Sequence, residues 1–275
     1  MLSGLLGTLP LIWDNLTYWA QLLLLIVTTV FLIYAANYSE NFEDTSIFIF
    51  KSSERVSSVL YLISTISFGS VVVFTLNIIN RSTSQNISED IQILIVSFFV
   101  AAYSLYLYFR TRQTFQHVAL FYSSIFFLGS LGNIIFPNIE PWAGGLFLIS
   151  IGFVWGLYTL NEILGPSWLG YFLSTSTISI GSVVLIDHLF GSNDLLEIIF
   201  LILGSVLFVW ASIQLSEQVI FYIGGLGLVI NLPRLITELL PDNIWPPLIL
   251  FLVGGVLVAV GLYLNSIREN IKNND

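Results

Sequence analysis

Residues 194–215, DLLEIIFLILGSVLFVWASIQL, and residues 216–235, SEQVIFYIGGLGLVINLPRL, are two apolar runs joined by a very short polar link. A helix of about 20 residues is long enough to cross the roughly 30 Å hydrocarbon core of a bilayer. Lipid offers the backbone no hydrogen bonds, so each run must satisfy its own backbone groups as a helix. This stretch therefore predicts a transmembrane helical hairpin.

The composition extends this interpretation to the whole chain. Of the 275 residues, 56% are hydrophobic and 9% are charged, whereas a soluble domain carries about 25% charged residues. The chain has no Cys, which excludes disulfides, thiolate metal sites and cysteine nucleophiles. The formal net charge is -9, from 17 acidic and 8 basic residues. The chain therefore lacks the clustered positive charge that binds nucleic acid. The excess of acidic residues has two explanations: adaptation to a high-salt habitat, or chance, because the chain has few charged residues.

Repeated apolar runs predict an all-α fold, a polytopic integral membrane bundle of about nine transmembrane helices arranged as sequential antiparallel hairpins. We expect an interfacial segment at 1–15, a single transmembrane domain at 16–267 and a polar C-terminal tail at 268–275. The predicted spans are about 16–36, 57–79, 91–109, 115–136, 142–160, 168–190, 194–215, 217–235 and 245–267.

The basic residues and the tyrosines indicate the same orientation. Two basic residues, Arg81 and Arg234, fall on one side of the membrane, and the other six fall on the opposite side. The positive-inside rule makes the six-residue side cytoplasmic, so we expect a multi-pass protein of the cell membrane with its N-terminus outside and its C-terminus in the cytoplasm. Most tyrosines lie towards the same cytoplasmic ends, with Tyr18 and Tyr103 as exceptions.

Small residues at helical spacing predict close helix packing. Gly152 and Gly156 form a GxxxG motif, and Gly255 with Ala259 forms a second small-xxx-small pair. We interpret both as contacts within the bundle; binding of a second subunit is the alternative. An apolar residue followed by Gly-Ser also recurs in mid-span, at residues 68–70, 128–130, 180–182 and 203–205. Spans three to eight can thus be three copies of one hairpin, or apolar helix pairs that resemble each other by chance.

The sequence contains no recognisable catalytic motif. Both lysines lie outside the predicted spans, which excludes a retinal Schiff base, and His117 and His188 fall near opposite membrane faces, so they cannot share a haem iron. No charged residue is predicted near the midplane, where an ionisable group would indicate a function. We therefore expect a non-enzymatic protein with no catalytic residue, no metal and no cofactor, although bound lipid or a lipophilic pigment is compatible with the sequence.

A set of polar residues at the outer ends of spans four, six, seven and eight is the candidate binding site. In span four Gly129 and Gly132, and in span eight Pro233, predict helices that loosen or break near this face. Arg234 can pair with Asp187, Glu197 or an anionic solute, but the favoured interpretation is an ordinary surface pair with Glu238, one helical turn away. The set consists of Asn133, Asp187, His188, Glu197, Asn231, Arg234 and Glu238.

Two functions remain open. The first is a scaffold, assembly subunit or lipid- or pigment-contacting partner, supported by the scarcity of buried charge and by helices rich in rings and small residues. The alternative is a transporter of a neutral or weakly anionic small solute through an outer polar vestibule. Expected partners are membrane lipid and either another membrane protein or a second copy of the chain, with no nucleic acid.

Overall fold

The computed structural model describes residues 13, 16–40, 52–83, 87–138, 140–191, 193–239 and 254–255. These residues form helices and no strand. Eight helices in the described part are long and apolar enough to cross a membrane, so the prediction of a polytopic helical membrane protein is confirmed. The helices are α1 (Tyr18–Glu40), α2 (Ser52–Thr83), α3 (Glu89–Thr111), α4 (Thr114–Ile135), α5 (Pro141–Leu160), α6 (Ser167–Phe190), α7 (Asp194–Leu215) and α8 (Gln218–Leu239).

The eight helices match the first eight predicted spans, with α2 longer than expected at 32 residues. The ninth predicted span, 245–267, lies outside the described residues apart from Gly254 and Gly255, which are helical. The interfacial segment at 1–15, except for Trp13, and the C-terminal tail also lie outside them.

The chain divides into two compact units, residues 1–138 and 139–275. Unit 1 contains α1 to α4 and unit 2 contains α5 to α8. Consecutive helices form the closest pairs, α1 with α2, α3 with α4, α5 with α6, and α7 with α8, which confirms the predicted hairpins. The connections between paired helices are short, for example residues 112–113 and 216–217. Such connections force each helix to pack beside the one before it. The single transmembrane domain over 16–267 stays a prediction.

Polar side chains join the helices of unit 1. The Thr29 and Ser67 hydroxyls lie 2.7 Å apart across α1 and α2, and Ser97 and Ser130 lie 2.9 Å apart across α3 and α4. Such bonds matter in a membrane, because the hydrophobic effect does not drive helices together there. An interhelical hydrogen bond in lipid contributes about 0.6 kcal/mol on average. Unit 1 therefore gains stability from several small contributions along its length.

Glycines bring the helices of unit 2 together. A Cβ added to Gly145 on α5 would lie 2.8 Å from the carbonyl oxygen of Gly181 on α6. A Cβ on Gly224 of α8 would lie 2.8 Å from the carbonyl oxygen of Ser205 on α7. Backbones this close gain dispersion contacts that larger residues would prevent. The two hairpins of unit 2 are thus both built on glycine contacts.

The expected breaks in spans four and eight are wrong. Helix α4 continues through Gly129 and Gly132 to Ile135, and α8 continues through Pro233 to Leu239. Glycine weakens a helix in water because its backbone is flexible and open to solvent, but lipid gives the freed backbone groups no alternative partner. Both helices therefore continue across residues that weaken a helix in water.

Candidate functional site

Arg234 pairs with Glu197, whereas the favoured interpretation of the sequence was a pair with Glu238. The Nη2 atom of Arg234 lies 3.5 Å from Oε1 of Glu197, an ion pair between α8 and α7. The Glu197 side chain is 15% exposed and that of Arg234 is 49% exposed, so one partner is partly shielded. Glu238, the alternative partner one turn along α8, is exposed. The ion pair links the start of α7 to the end of α8, at the end of the hairpin opposite the 216–217 connection.

Other members of the predicted set have local partners of their own. Nε2 of His188 lies 3.8 Å from Oε2 of Glu140, a residue the prediction did not include. Asp187 is exposed, and its backbone carbonyl accepts the N–H of Gly191 at the end of α6. These contacts belong to the ends of α5 and α6 in unit 2.

The two amides of the predicted set are also locally bonded. Nδ2 of Asn133 donates to Oδ1 of Asp90 at 3.2 Å in unit 1. Nδ2 of Asn231 donates to the carbonyl oxygen of Gly227 in its own helix at 2.9 Å, and Asn231 is buried. Among the described contacts of the seven predicted residues, only the one between Glu197 and Arg234 joins two members of the set.

The structure instead shows a polar network around Tyr61 in unit 1, which the sequence analysis missed. The fully buried Tyr61 donates its hydroxyl to Oδ1 of Asn37 at 2.7 Å, and its oxygen lies 3.2 Å from Oε2 of Glu40. Nη2 of Arg110 donates to the same Asn37 oxygen at 2.9 Å. Ser64 lies 3.2 Å from the hydroxyl of Tyr103. This Tyr61 network ties α1, α2 and α3 together at one end of the unit.

A second polar group surrounds Gln116, where α4 begins against α2. Nε2 of Gln113 donates to Oγ of Ser57 at 2.9 Å, and Nε2 of Gln116 donates to the carbonyl oxygen of Ser58 at 3.3 Å. Gln116 is fully buried. We call Ser57, Ser58, Gln113 and Gln116 the Gln116 cluster. It lies at the same helix ends as the Tyr61 network.

Two buried atoms of the Gln116 cluster, Oε1 of Gln113 and Oε1 of Gln116, have no hydrogen-bond partner among the described residues. A buried polar atom without a partner costs about 1–3 kcal/mol. Both atoms are acceptors, so each matches a group that donates a hydrogen bond. The tyrosines at these helix ends are visible in the sequence, but they do not identify the partners of Tyr61 or any member of the Gln116 cluster.

Unit 2 carries an apolar groove of about 400 Å³ between α5, α6, α7 and the start of α8. Its lining combines large rings, such as Phe153 and Trp210, with small residues, such as Gly156 and Ala211. Gly156 lies where a Cβ would approach Oγ of Ser174 to 2.7 Å, so the first GxxxG motif packs α5 onto α6 beside this groove. In the second predicted packing pair, Gly255 is exposed and Ala259 lies outside the described residues.

The described residues contain no group of three or more His, Asp and Glu side chains positioned to hold a metal ion. No known family, no functionally described protein and no solved structure matches this chain. The groove of unit 2 and the polar groups of unit 1 are therefore interpreted from their own chemistry.

Proposed function

We propose that this chain is a non-enzymatic scaffold of the cell membrane, and that its apolar groove in unit 2 holds an elongated lipophilic molecule. The observation that carries the proposal is the groove itself, with its volume of about 400 Å³ and its lining of rings and small residues. Ligand sites commonly have volumes of about 300–1,000 Å³ and mostly apolar walls.

The chemistry of the lining favours a hydrocarbon chain with few polar groups. Phe153 and Trp210 offer flat apolar surfaces, while Gly156 and Ala211 leave room for a chain to lie close to the helix backbones. Ser174 on the lining already donates its hydroxyl to the carbonyl oxygen of Gly152 at 2.7 Å. A lipid acyl chain or an isoprenoid pigment fits this surface better than a polar solute does.

Filling the groove tests this proposal. Ala211→Trp places a large ring on the lining, whereas Val206→Trp places the same ring on an exposed position of α7 outside the lining. Each variant is purified in mild detergent, and its bound lipophiles are measured by mass spectrometry and absorption. We expect A211W to lose most of a lipophile that the wild type and V206W retain. Equal retention in all three proteins contradicts the proposal.

A transporter of a neutral or weakly anionic small solute is the second candidate, favoured by the buried atoms of the Gln116 cluster that have no partner within the described part of the chain. Under this alternative, Gln116→Leu abolishes solute uptake into proteoliposomes and leaves folding intact. Asn231→Leu tests the outer route by the same assay, because Asn231 is the buried amide of the predicted vestibule. Uptake that neither substitution changes argues against this candidate.

A further inference from the structure

A cavity of about 420 Å³ lies at the other end of unit 1, between the start of α1 and the last turns of α2. Its lining includes the rings of Trp13, Tyr18 and Phe74 and the guanidinium of Arg81. This end of the unit is opposite to the Tyr61 network along α2, because Tyr61 and Arg81 are 20 positions apart in one helix. The cavity is also separate from the groove, which belongs to unit 2.

Arg81 is a cation without an acidic partner in the described part of the chain. Its guanidinium carbon lies 4.1 Å from the centroid of the Tyr18 ring, a cation–π contact. That contact holds the charge over the ring, and the guanidinium carries five N–H donors. Those N–H groups form a planar fork that matches the oxygens of a phosphate. An arginine held against a ring in this way is preorganised for an anion.

The neighbouring groups favour an amphiphile over a soluble anion. Trp13 and Phe74 meet edge to face with ring centroids 5.6 Å apart and provide an apolar side to the cavity. The buried Gln21 is held in place, because its Nε2 donates to the carbonyl oxygen of Trp13 at 2.7 Å. The start of α1 and the last turn of α2 both lie at this cavity, so the opposite ends of the two helix dipoles offset each other there and the guanidinium supplies the positive charge. Tryptophan and tyrosine are the side chains typical of the membrane interface, where lipid phosphates lie.

We propose that this cavity binds the phosphate of a membrane lipid headgroup, with Arg81 holding the phosphate and the rings of Trp13 and Phe74 contacting the adjoining apolar part. The same chemistry can come from free phosphate. A phospholipid and free phosphate differ in one respect: only the lipid has an apolar part that contacts the ring-lined side of the cavity.

The test measures lipid retention by the full chain. Purified protein is exchanged into detergent containing equal amounts of phosphatidylglycerol and a phosphate-free glycolipid with the same acyl chains, and bound lipid is counted by native mass spectrometry. The variant is Arg81→Gln. The matched control is Arg55→Gln, which removes the same charge from an exposed position at the opposite end of the same helix. Size-exclusion profiles and melting curves establish that each variant is folded.

We expect the wild type and R55Q to prefer the phospholipid, and R81Q to lose this preference by roughly tenfold, as removal of a charged hydrogen bond predicts. Arg81→Lys keeps the charge without the planar fork, so its preference for the phospholipid should lie between those of the wild type and R81Q. It also serves as the second variant if R81Q does not fold. Displacement of the phospholipid by millimolar inorganic phosphate would assign the site to the free anion and overturn the lipid assignment. Equal losses in R81Q and R55Q, or no preference in the wild type, would overturn the site.

Discussion

At Gly181 the backbones of α5 and α6 approach so closely that no side chain fits between them. A Cβ at this position would lie 2.7 Å from the carbonyl oxygen of Gly145 and 2.9 Å from the amide nitrogen of Ile149. Both are backbone atoms, so neither can move aside without shifting α5. Gly204, in a similar Gly-Ser context on α7, has no such neighbour within 4 Å. Two glycines in like sequence contexts therefore have different structural roles.

This difference predicts opposite effects for the same substitution. Gly181→Ala should lower the free energy of unfolding by about 1–3 kcal/mol, because the added methyl group overpacks the helix contact. Gly204→Ala should leave it unchanged or raise it by up to about 1 kcal/mol, because alanine is the better helix former. Unfolding in mixed micelles of increasing denaturing detergent measures both. A G181A protein as stable as G204A would show that α5 and α6 are not held at this distance.

Some glycine contacts can be predicted from residue spacing and others cannot. The GxxxG spacing of Gly152 and Gly156 is visible in the sequence, and the structure places both residues against α6. The Gly-Ser repeats do not reveal which of their two residues faces a neighbour. At residues 203–205 it is Ser205 that lies against Gly224 and Gly227 of α8. That choice depends on the rotation of each helix in the bundle, which the local sequence does not specify.

Among the helices, α8 best shows how the membrane changes local rules. It runs from Gln218 to Leu239 with Pro233 inside it. Proline has no N–H, so the carbonyl oxygen of Val229, four residues earlier, cannot receive its usual helical hydrogen bond.

The eight spans were predictable because length and apolarity fix them. The continuity of α4 and α8 was not, because the expected breaks were based on the behaviour of Gly and Pro in water.

Replacement of Pro233 tests how much strain α8 carries. Pro233→Ala supplies the missing N–H, so we expect the free energy of unfolding to rise by about 1–3 kcal/mol. Amide exchange over the last two turns of α8 should slow as well. The control is Pro141→Ala at the first residue of α5, where the N–H has no helical partner and little change is expected. A destabilised P233A protein would mean that the bend or the ring of Pro233 is needed for packing.

For the molecule as a whole, the two units use different means to hold their helices together. Unit 1 relies on interhelical side-chain bonds, such as the one from Tyr61 to Asn37, and unit 2 on glycine contacts, such as Gly145 with Gly181. The hairpin order was predictable from the short connections. The Tyr61 network was not, because its members come from three helices and are far apart in sequence. Of the predicted outer set, the contact between Glu197 and Arg234 was one of the alternatives that the sequence left open.

The sidedness of the helices in the membrane is directly testable, because the sequence contains no cysteine. Helices that each cross the bilayer once place the connections at 112–113, 161–166 and 216–217 on one side and those at 136–140 and 191–193 on the other. The positive-inside rule makes the first side cytoplasmic. On intact cells, a membrane-impermeant maleimide should therefore label Asn138→Cys and should label Asn161→Cys only after permeabilisation. Both variants should react fully in detergent.

The same reagent decides the number of crossings, through Asn274→Cys in the polar tail. Helix α8 ends on the same side of the membrane as Asn138. A ninth crossing at 245–267 therefore places the tail on the side of Asn161. We therefore expect N274C to be protected in intact cells, as N161C is. Labelling of N274C in intact cells would limit the chain to eight crossings and place both termini on one side. Labelling of N161C with protection of N138C would keep the fold and invert the orientation.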